Sequence, residues 1–194
     1  MPKLALIFPR FRYPSGDFPI GIALLAAFVE RELNWECQIC DTTFAPSMKT
    51  ISDFLEEFQP DVVGVGMSTL MLGEGLQSCA LAKQQNCFVF VGGPHPTIKP
   101  FAMMENPAID ACVIGEGELA TVELLKMWQR QERTEVSGAL VKDLKGAILG
   151  KVSRRPVEEL DSLPFPAWEL VEMPKYIDAW GQLDSVQPGL RGIN

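Results

Sequence analysis

Leu4, Ala5, Leu6, Ile7 and Phe8 form an apolar run with no polar alternate, the pattern of a strand buried on both faces of a sheet. Ile22, Leu25, Ala26, Val29 and Leu33 then recur at helical spacing, which predicts strand one followed by helix one. A segment around residues 37–40, closed by Asp41, predicts a second strand, and Ile51, Phe54, Leu55 and Phe58 mark a second amphipathic helix. Gln59-Pro60-Asp61 stops that helix. Residues 62–67 read as a third buried strand, and a helix of small residues is expected around 76–83. A fourth strand over 88–91 runs into Gly92-Gly93-Pro94-His95, a short helix is expected over 100–105, and a fifth strand over 111–114. Leu119, Val122, Leu125 and Trp128 line a fifth helix. Alternation of this kind predicts the α/β class: a doubly wound, five-stranded parallel sheet, flavodoxin-like, with strand order 2-1-3-4-5.

The rhythm changes past residue 132. Residues 139–141 and 147–149 flank Leu144-Lys145-Gly146, which predicts a β-hairpin with a glycine-containing turn. Leu163-Pro164-Phe165-Pro166-Ala167-Trp168 fits neither a regular helix nor a central strand. The expected division is therefore residues 1–132 as the sheet domain and 133–194 as a hairpin and connector. Trp168 and Trp180 are too apolar for a loose tail, and the close at Gly192-Ile193-Asn194 carries neither cap nor charge, so a fragment with a further domain is expected.

Composition narrows the function classes. With 47% hydrophobic and 22% charged residues over 194 positions, the chain folds as an ordinary globular protein. A net charge of -8, with Lys and Arg scattered, offers no footprint for nucleic acid. The longest apolar stretch, residues 20–29, is far short of the roughly 20 residues a bilayer requires, so no membrane partner is expected. Pro9-Arg10 ends the first apolar run before a secretory signal forms. Five cysteines, an odd number set in apolar segments, suit reduced thiols and a cytoplasmic location. Cys37 and Cys40 have C-x-x-C spacing but fall within a strand, so their thiols point to opposite faces as core residues rather than as a redox or metal pair.

Open parallel sheets bind ligands at the C-terminal ends of their strands. The loops there read Ser68-Thr69-Leu70 after strand three, Gly92-Gly93-Pro94-His95 after strand four and Gly115-Glu116-Gly117-Glu118 after strand five. Paired glycines let a bulky ligand approach where a β-carbon would collide, and a nearby hydroxyl can donate into the same cleft. The same glycines also suit a tight turn, Glu116 and Glu118 suit the positive end of a helix, and Met67, Met71, Met103 and Met104 suit core filling.

Ser68-Thr69-Leu70 and Gly92-Gly93 match two of the three signatures of cobalamin-binding domains, S-x-L after strand three and G-G after strand four. The third, D-x-H-x-x-G after strand one, is absent, because the loop from Pro9 to Gly21 contains no histidine. That absence, with Pro19-Ile20-Gly21, Pro60-Asp61-Val62-Val63-Gly64, Gly92-Gly93-Pro94-His95, Gly115-Glu116-Gly117-Glu118 and the connector from Leu160 to Pro166, resembles the N-terminal module of cobalamin-dependent radical S-adenosylmethionine enzymes. The resemblance implies base-off cobalamin, with Ser68, Leu70, Gly92 and Gly93 around its nucleotide tail and the corrin over the strand ends. Thr69, Pro94, His95, Gly115, Glu116 and Gly117 complete the implied cofactor site, His95 as a contact rather than a cobalt ligand. It also implies a [4Fe–4S] cluster and S-adenosylmethionine in a C-terminal domain of the same chain, since the C-x-x-x-C-x-x-C spacing that holds such a cluster does not occur here. Methyl transfer, or ring closure of the anaerobic Mg-protoporphyrin monomethyl ester cyclase type, is then the expected chemistry, with no catalysis by this part alone.

A nicotinamide or flavin domain would need glycines directly after strand one, where only Ser15-Gly16 occurs, far from helix one. A phosphate-accepting receiver domain would need an aspartate where Ser68 stands. A non-catalytic flavodoxin-like ligand-binding or interaction module remains the alternative.

Overall fold

The computed structural model describes residues 1–12 and 17–183. Ser15-Gly16 and the C-terminal Gly192-Ile193-Asn194 lie outside the described residues. Strands β1 (Lys3–Phe8), β2 (Glu36–Asp41), β3 (Val62–Gly66), β4 (Phe88–Gly92) and β5 (Ala111–Val113) alternate with helices α1 (Ile20–Leu33), α2 (Met48–Phe58), α3 (Leu72–Gln84), α4 (Pro94–Ile98), α5 (Pro100–Met104) and α6 (Glu118–Gln129). The hairpin β6 (Ala139–Lys142) and β7 (Ile148–Leu149) follows, and α7 (Met173–Leu183) ends the described chain.

The sheet runs β2-β1-β3-β4-β5-β6-β7. Its first five strands are parallel, in the order expected of a flavodoxin-like sheet. It has seven strands rather than five because β6 pairs antiparallel with β5, and β7 with β6. The hairpin thus extends the main sheet and covers the edge that β5 would otherwise leave unpaired.

Side-chain alternation along the buried strands makes two cores. Leu4, Leu6, Val62, Phe88 and Phe90 face α1 and α6, while Ala5, Ile7, Val63, Val65 and Val89 face α2, α3 and α5. Cys37 belongs to the first core and Cys40 to the second, as the strand period requires. The Trp35 and Trp128 rings meet edge to face at 5.5 Å where α1 ends against α6. Ser47 caps α2, its Oγ accepting the Lys49 N–H at 3.1 Å.

Two differences from the sequence pattern bear on the site. The helix expected over 100–105 is α5, but a further helix, α4, precedes it where the sequence reads as a loop; each opens with a proline in its first turn, where the ring's fixed φ is already helical. The segment after residue 160 also returns to the sheet domain. The Ala167 N–H donates to the Ala23 carbonyl at 3.0 Å, and Arg31 donates to the Ser162 carbonyl at 2.6 Å. Tyr176 of α7, 1% exposed, packs with Ala23 and Val171 and meets the Phe44 ring at 4.8 Å. Its hydroxyl donates to the Asp41 carboxylate at the end of β2 and lies 3.0 Å from Thr43 Oγ1.

Candidate functional site

A cleft of about 450 Å³ opens at the C-terminal ends of β1, β3, β4 and β5, on the side of the sheet covered by α1 and α6. Here β1 and β3 are neighbours whose chains leave in opposite directions, the switch point at which open sheets bind ligands. Pro19, Gly21, Ile22 and Leu25 of the α1 start form one wall; Gly117, Glu118 and Thr121 of the α6 start form the other.

The floor is shaped by missing β-carbons. Gly64 pairs with Leu6 and Phe90 in register, and Gly66 with Gly92, so all project toward the α1 and α6 side. A β-carbon on Gly64 would lie 2.4 Å from the Phe90 ring, and one on Gly66 would lie 2.7 Å from Ile22 Cδ1. These two glycines admit the side chains that line the cleft. At Gly92 the nearest neighbour of an added β-carbon is Val113 Cβ at 3.8 Å, so its surface is bare floor.

Of the residues singled out from sequence, Ser68, Gly92, Gly93, Pro94, Gly115, Glu116 and Gly117 come together along this cleft. Gly93 has φ 101 and ψ -171, and its carbonyl-side turn is tied to β3: Met67 N–H donates to the Gly92 carbonyl at 2.9 Å, and His95 N–H to the Met67 carbonyl at 3.1 Å. Gly115, at φ 79, donates its N–H to Thr97 Oγ1 at 2.9 Å, which joins the loops after β4 and β5. Glu116 Oε2 accepts the Val157 N–H at 3.0 Å, so this carboxylate also anchors the returning tail.

Thr69, Leu70 and His95 are not in the cleft walls. Thr69 Oγ1 lies 3.0 Å from His95 Nδ1, and Leu70 is 70% exposed beside them. Thr69 and Leu70 follow β3 and His95 follows β4, so they belong to the same end of the sheet as the cleft, as does the exposed Ile20 at the start of α1.

Several cleft residues escaped the sequence reading. Gly64 and Gly66 carried a visible signal, glycine at period two within a buried strand. Met71 lines the cleft, as does Met67, which is also part of the core; Met103 and Met104 are buried in the core as expected. Thr121 is fully buried on the cleft side of α6. Glu118, which belongs to the loop expected to border the ligand but was not among the expected contacts, lines the cleft as well. No cysteine lines the cleft among the described residues. Burial pushes the thiols of Cys37, Cys40, Cys79 and Cys112 up to about 12, which makes them inert core groups. Among the described residues, no three His, Cys, Asp or Glu side chains gather so as to hold a metal ion. No described helix is long and apolar enough to cross a membrane.

An uncharacterised methyltransferase of Pyrococcus horikoshii is 32% identical over 163 residues, covering 81% of this chain and 35% of its own length. The anaerobic magnesium-protoporphyrin IX monomethyl ester cyclase of Rubrivivax gelatinosus is 28% identical over 188 residues, covering 90% of this chain and 34% of its own. The chain therefore spans about a third of the length of these curated relatives. The radical S-adenosylmethionine methyltransferase TsrM of Kitasatospora setae, solved with cobalamin and a [4Fe–4S] cluster, superposes with a TM-score of 0.74 at 21% identity, over 93% of this chain and 39% of that one; this likeness is one of fold. Residues 17–125, which include both walls of the cleft and its glycine floor, match the B12 binding domain family, and the chain belongs to that family.

Proposed function

We propose that the chain holds cobalamin at this cleft and acts as the cofactor-carrying part of a cobalamin-dependent radical S-adenosylmethionine enzyme, of the methyltransferase or anaerobic magnesium-protoporphyrin monomethyl ester cyclase type. The observation that carries the reading is the bare glycine floor between α1 and α6, a slot open at the strand ends and walled by apolar side chains. A flat aromatic lower base with its sugar would lie in such a slot, with the corrin outside it. The corrin would rest over the strand ends, where Leu70 and Ile20 offer exposed apolar surface and His95 is held by Thr69. Ser68, Gly92 and Gly93 would border the tail, and Pro94, Gly115, Glu116 and Gly117 the neighbouring edge of the ring.

The cofactor would be base-off, its nucleotide base drawn into the slot and its lower cobalt face carrying water or no protein ligand. In support, His95 is the single histidine, it belongs to α4 after strand four, and the loop after β1 has none. Bound cobalamin supplies a cobalt centre that carries and transfers a methyl group. The residues here bind it, orient it and shield its tail from water. The [4Fe–4S] cluster and S-adenosylmethionine would belong to a domain beyond residue 194, with residues 133–194 bridging toward it. The greater length of the relatives supports that arrangement. Five buried, unpaired cysteines support a cytoplasmic setting.

The test is a visible spectrum of the purified chain after incubation with hydroxocobalamin and desalting. Retained colour with a base-off band is the expected result. Retained colour in the base-on form would keep the cobalamin site and overturn the lower-face assignment. Colourless protein that retains flavin mononucleotide in a parallel trial would favour a flavodoxin-like ligand-binding module instead.

A further inference from the structure

Two buried polar atoms in the cleft wall have no hydrogen-bond partner among the described residues: Oε2 of Glu118 and Oγ1 of Thr121. Both residues stand on the first turn of α6 and both line the cleft. Their spacing of three puts them on one face of the helix. Thr121 is 0% exposed, and its backbone N–H is already engaged with the Gly117 carbonyl at 2.8 Å, so only the hydroxyl is left over. A buried polar group left unsatisfied carries its full desolvation penalty. Two such groups a turn apart, at the ligand-binding end of the sheet, amount to hydrogen-bonding capacity held for something that enters the cleft.

The donor and acceptor types narrow what enters. A carboxylate only accepts, so its partner must carry a donor; a threonine hydroxyl both donates and accepts. A phosphodiester has no donor and would repel the Glu118 carboxylate. An alkylated benzimidazole attached through its nitrogen has no N–H. The corrin amides also carry donors, and they are shared by corrinoids with and without the nucleotide, so the two sources separate on titration. Sugar hydroxyls satisfy both atoms at once.

We propose that Glu118 and Thr121 bind the ribose hydroxyls of the cofactor's nucleotide tail, and thereby make this chain select corrinoids that carry a nucleotide over truncated ones that lack it. The inference rests on cobalamin occupying the cleft. It assigns to two side chains of α6 a recognition role in addition to the glycine floor.

Hydroxocobalamin and aquacobinamide, which keeps the corrin and its amides but lacks the nucleotide, are titrated calorimetrically against the native chain, Thr121→Val and Glu118→Gln. Each substitution is expected to weaken cobalamin binding by about five- to tenfold, the effect of one hydrogen bond, and to leave cobinamide binding unchanged. Valine is close in shape to threonine and removes an unpaired polar atom, so the urea midpoint of Thr121→Val without ligand should equal or exceed the native one. Equal losses for both corrinoids would place the contacts on the ring and overturn the assignment. Undiminished cobalamin binding by both variants would overturn it as well, while leaving the cobalamin site itself intact. Native chain that holds neither corrinoid would sink both this inference and the reading beneath it.

Discussion

Gly92 and Gly93 are adjacent, yet they are glycines for different reasons. Gly93 sits at φ 101 and ψ -171, a region open essentially to glycine alone, and an added β-carbon would lie 2.9 Å from the Met67 carbonyl oxygen. Gly93→Ala should therefore destabilise the fold by about 2 kcal/mol, read as a lowered urea midpoint. Gly92→Ala meets only Val113 Cβ at 3.8 Å, so its unfolding free energy should stay within about 0.5 kcal/mol of native, while the new methyl group intrudes on the cleft floor and lowers cobalamin affinity about tenfold. A Gly92→Ala chain that unfolds early, or binds cobalamin as the native one does, would contradict this division. The glycine pair, Ser68 and the loop from Gly115 to Gly117 were legible from sequence because glycine and hydroxyl at strand ends are local signals. Thr121 was not, because which side of α6 faces the cleft is decided by how that helix packs on α1 and the sheet. The bond from Val157 to Glu116 depends on the tail's return, and no spacing along the chain encodes it.

At the scale of elements, periodicity located all five parallel strands and the four longer helices between and after them, since each presents an unambiguous apolar face to one of the two cores. It failed where proline was read as punctuation. Pro94 opens α4 where a loop was expected, and α7 begins at Met173-Pro174 just past a proline-rich stretch that reads as an extended connector. What holds α7 is tertiary: the Tyr176 hydroxyl donates to the carboxylate that closes β2, in a pocket shared with Phe18 and Phe44. Phenylalanine would keep the packing and remove that bond, leaving Asp41 with the Thr43 N–H at 2.9 Å as its remaining partner there. Tyr176→Phe should weaken the docking of α7 by about 1.5–3 kcal/mol, the usual range for a hydrogen bond to a charged group. Amide exchange should then quicken over residues 173–183 and stay native in β1, β3 and β4. Uniformly faster exchange throughout would mean that α7 and the sheet unfold as one unit.

The molecule as a whole keeps its thiols away from the place where a cobalt ion would sit. Cys37 lies under α1 and α6, Cys40, Cys79, Cys87 and Cys112 lie on the opposite side of the sheet, and none reaches the cleft. Soft thiolate ligands compete well for late transition metals, so on the proposed reading this segregation would keep the thiols from the cobalt of a bound corrinoid. It also gives the fold an alkaline limit. Burial raises four of these thiols from an ordinary 9.0 to about 12, and it raises Tyr176 as well, through burial first and then the Asp41 carboxylate. A raised folded value means that the unfolded chain releases its protons first. The stability tied to these groups is fully present below about pH 9 and is lost as the pH climbs toward 12, at about 1.4 kcal/mol per pH unit for each thiol ionised only in the unfolded state. Four thiols losing stability together would exhaust the 5–15 kcal/mol typical of a domain, at about 5 kcal/mol per unit, within about one to three units. Urea unfolding free energies measured at pH 8, 9, 10 and 11 should therefore be level at first and then fall steeply, and Cys112→Ala should reduce the slope by the equivalent of one proton. A flat profile to pH 11, or a Cys112→Ala slope identical to native, would show that the buried thiols do not set this limit.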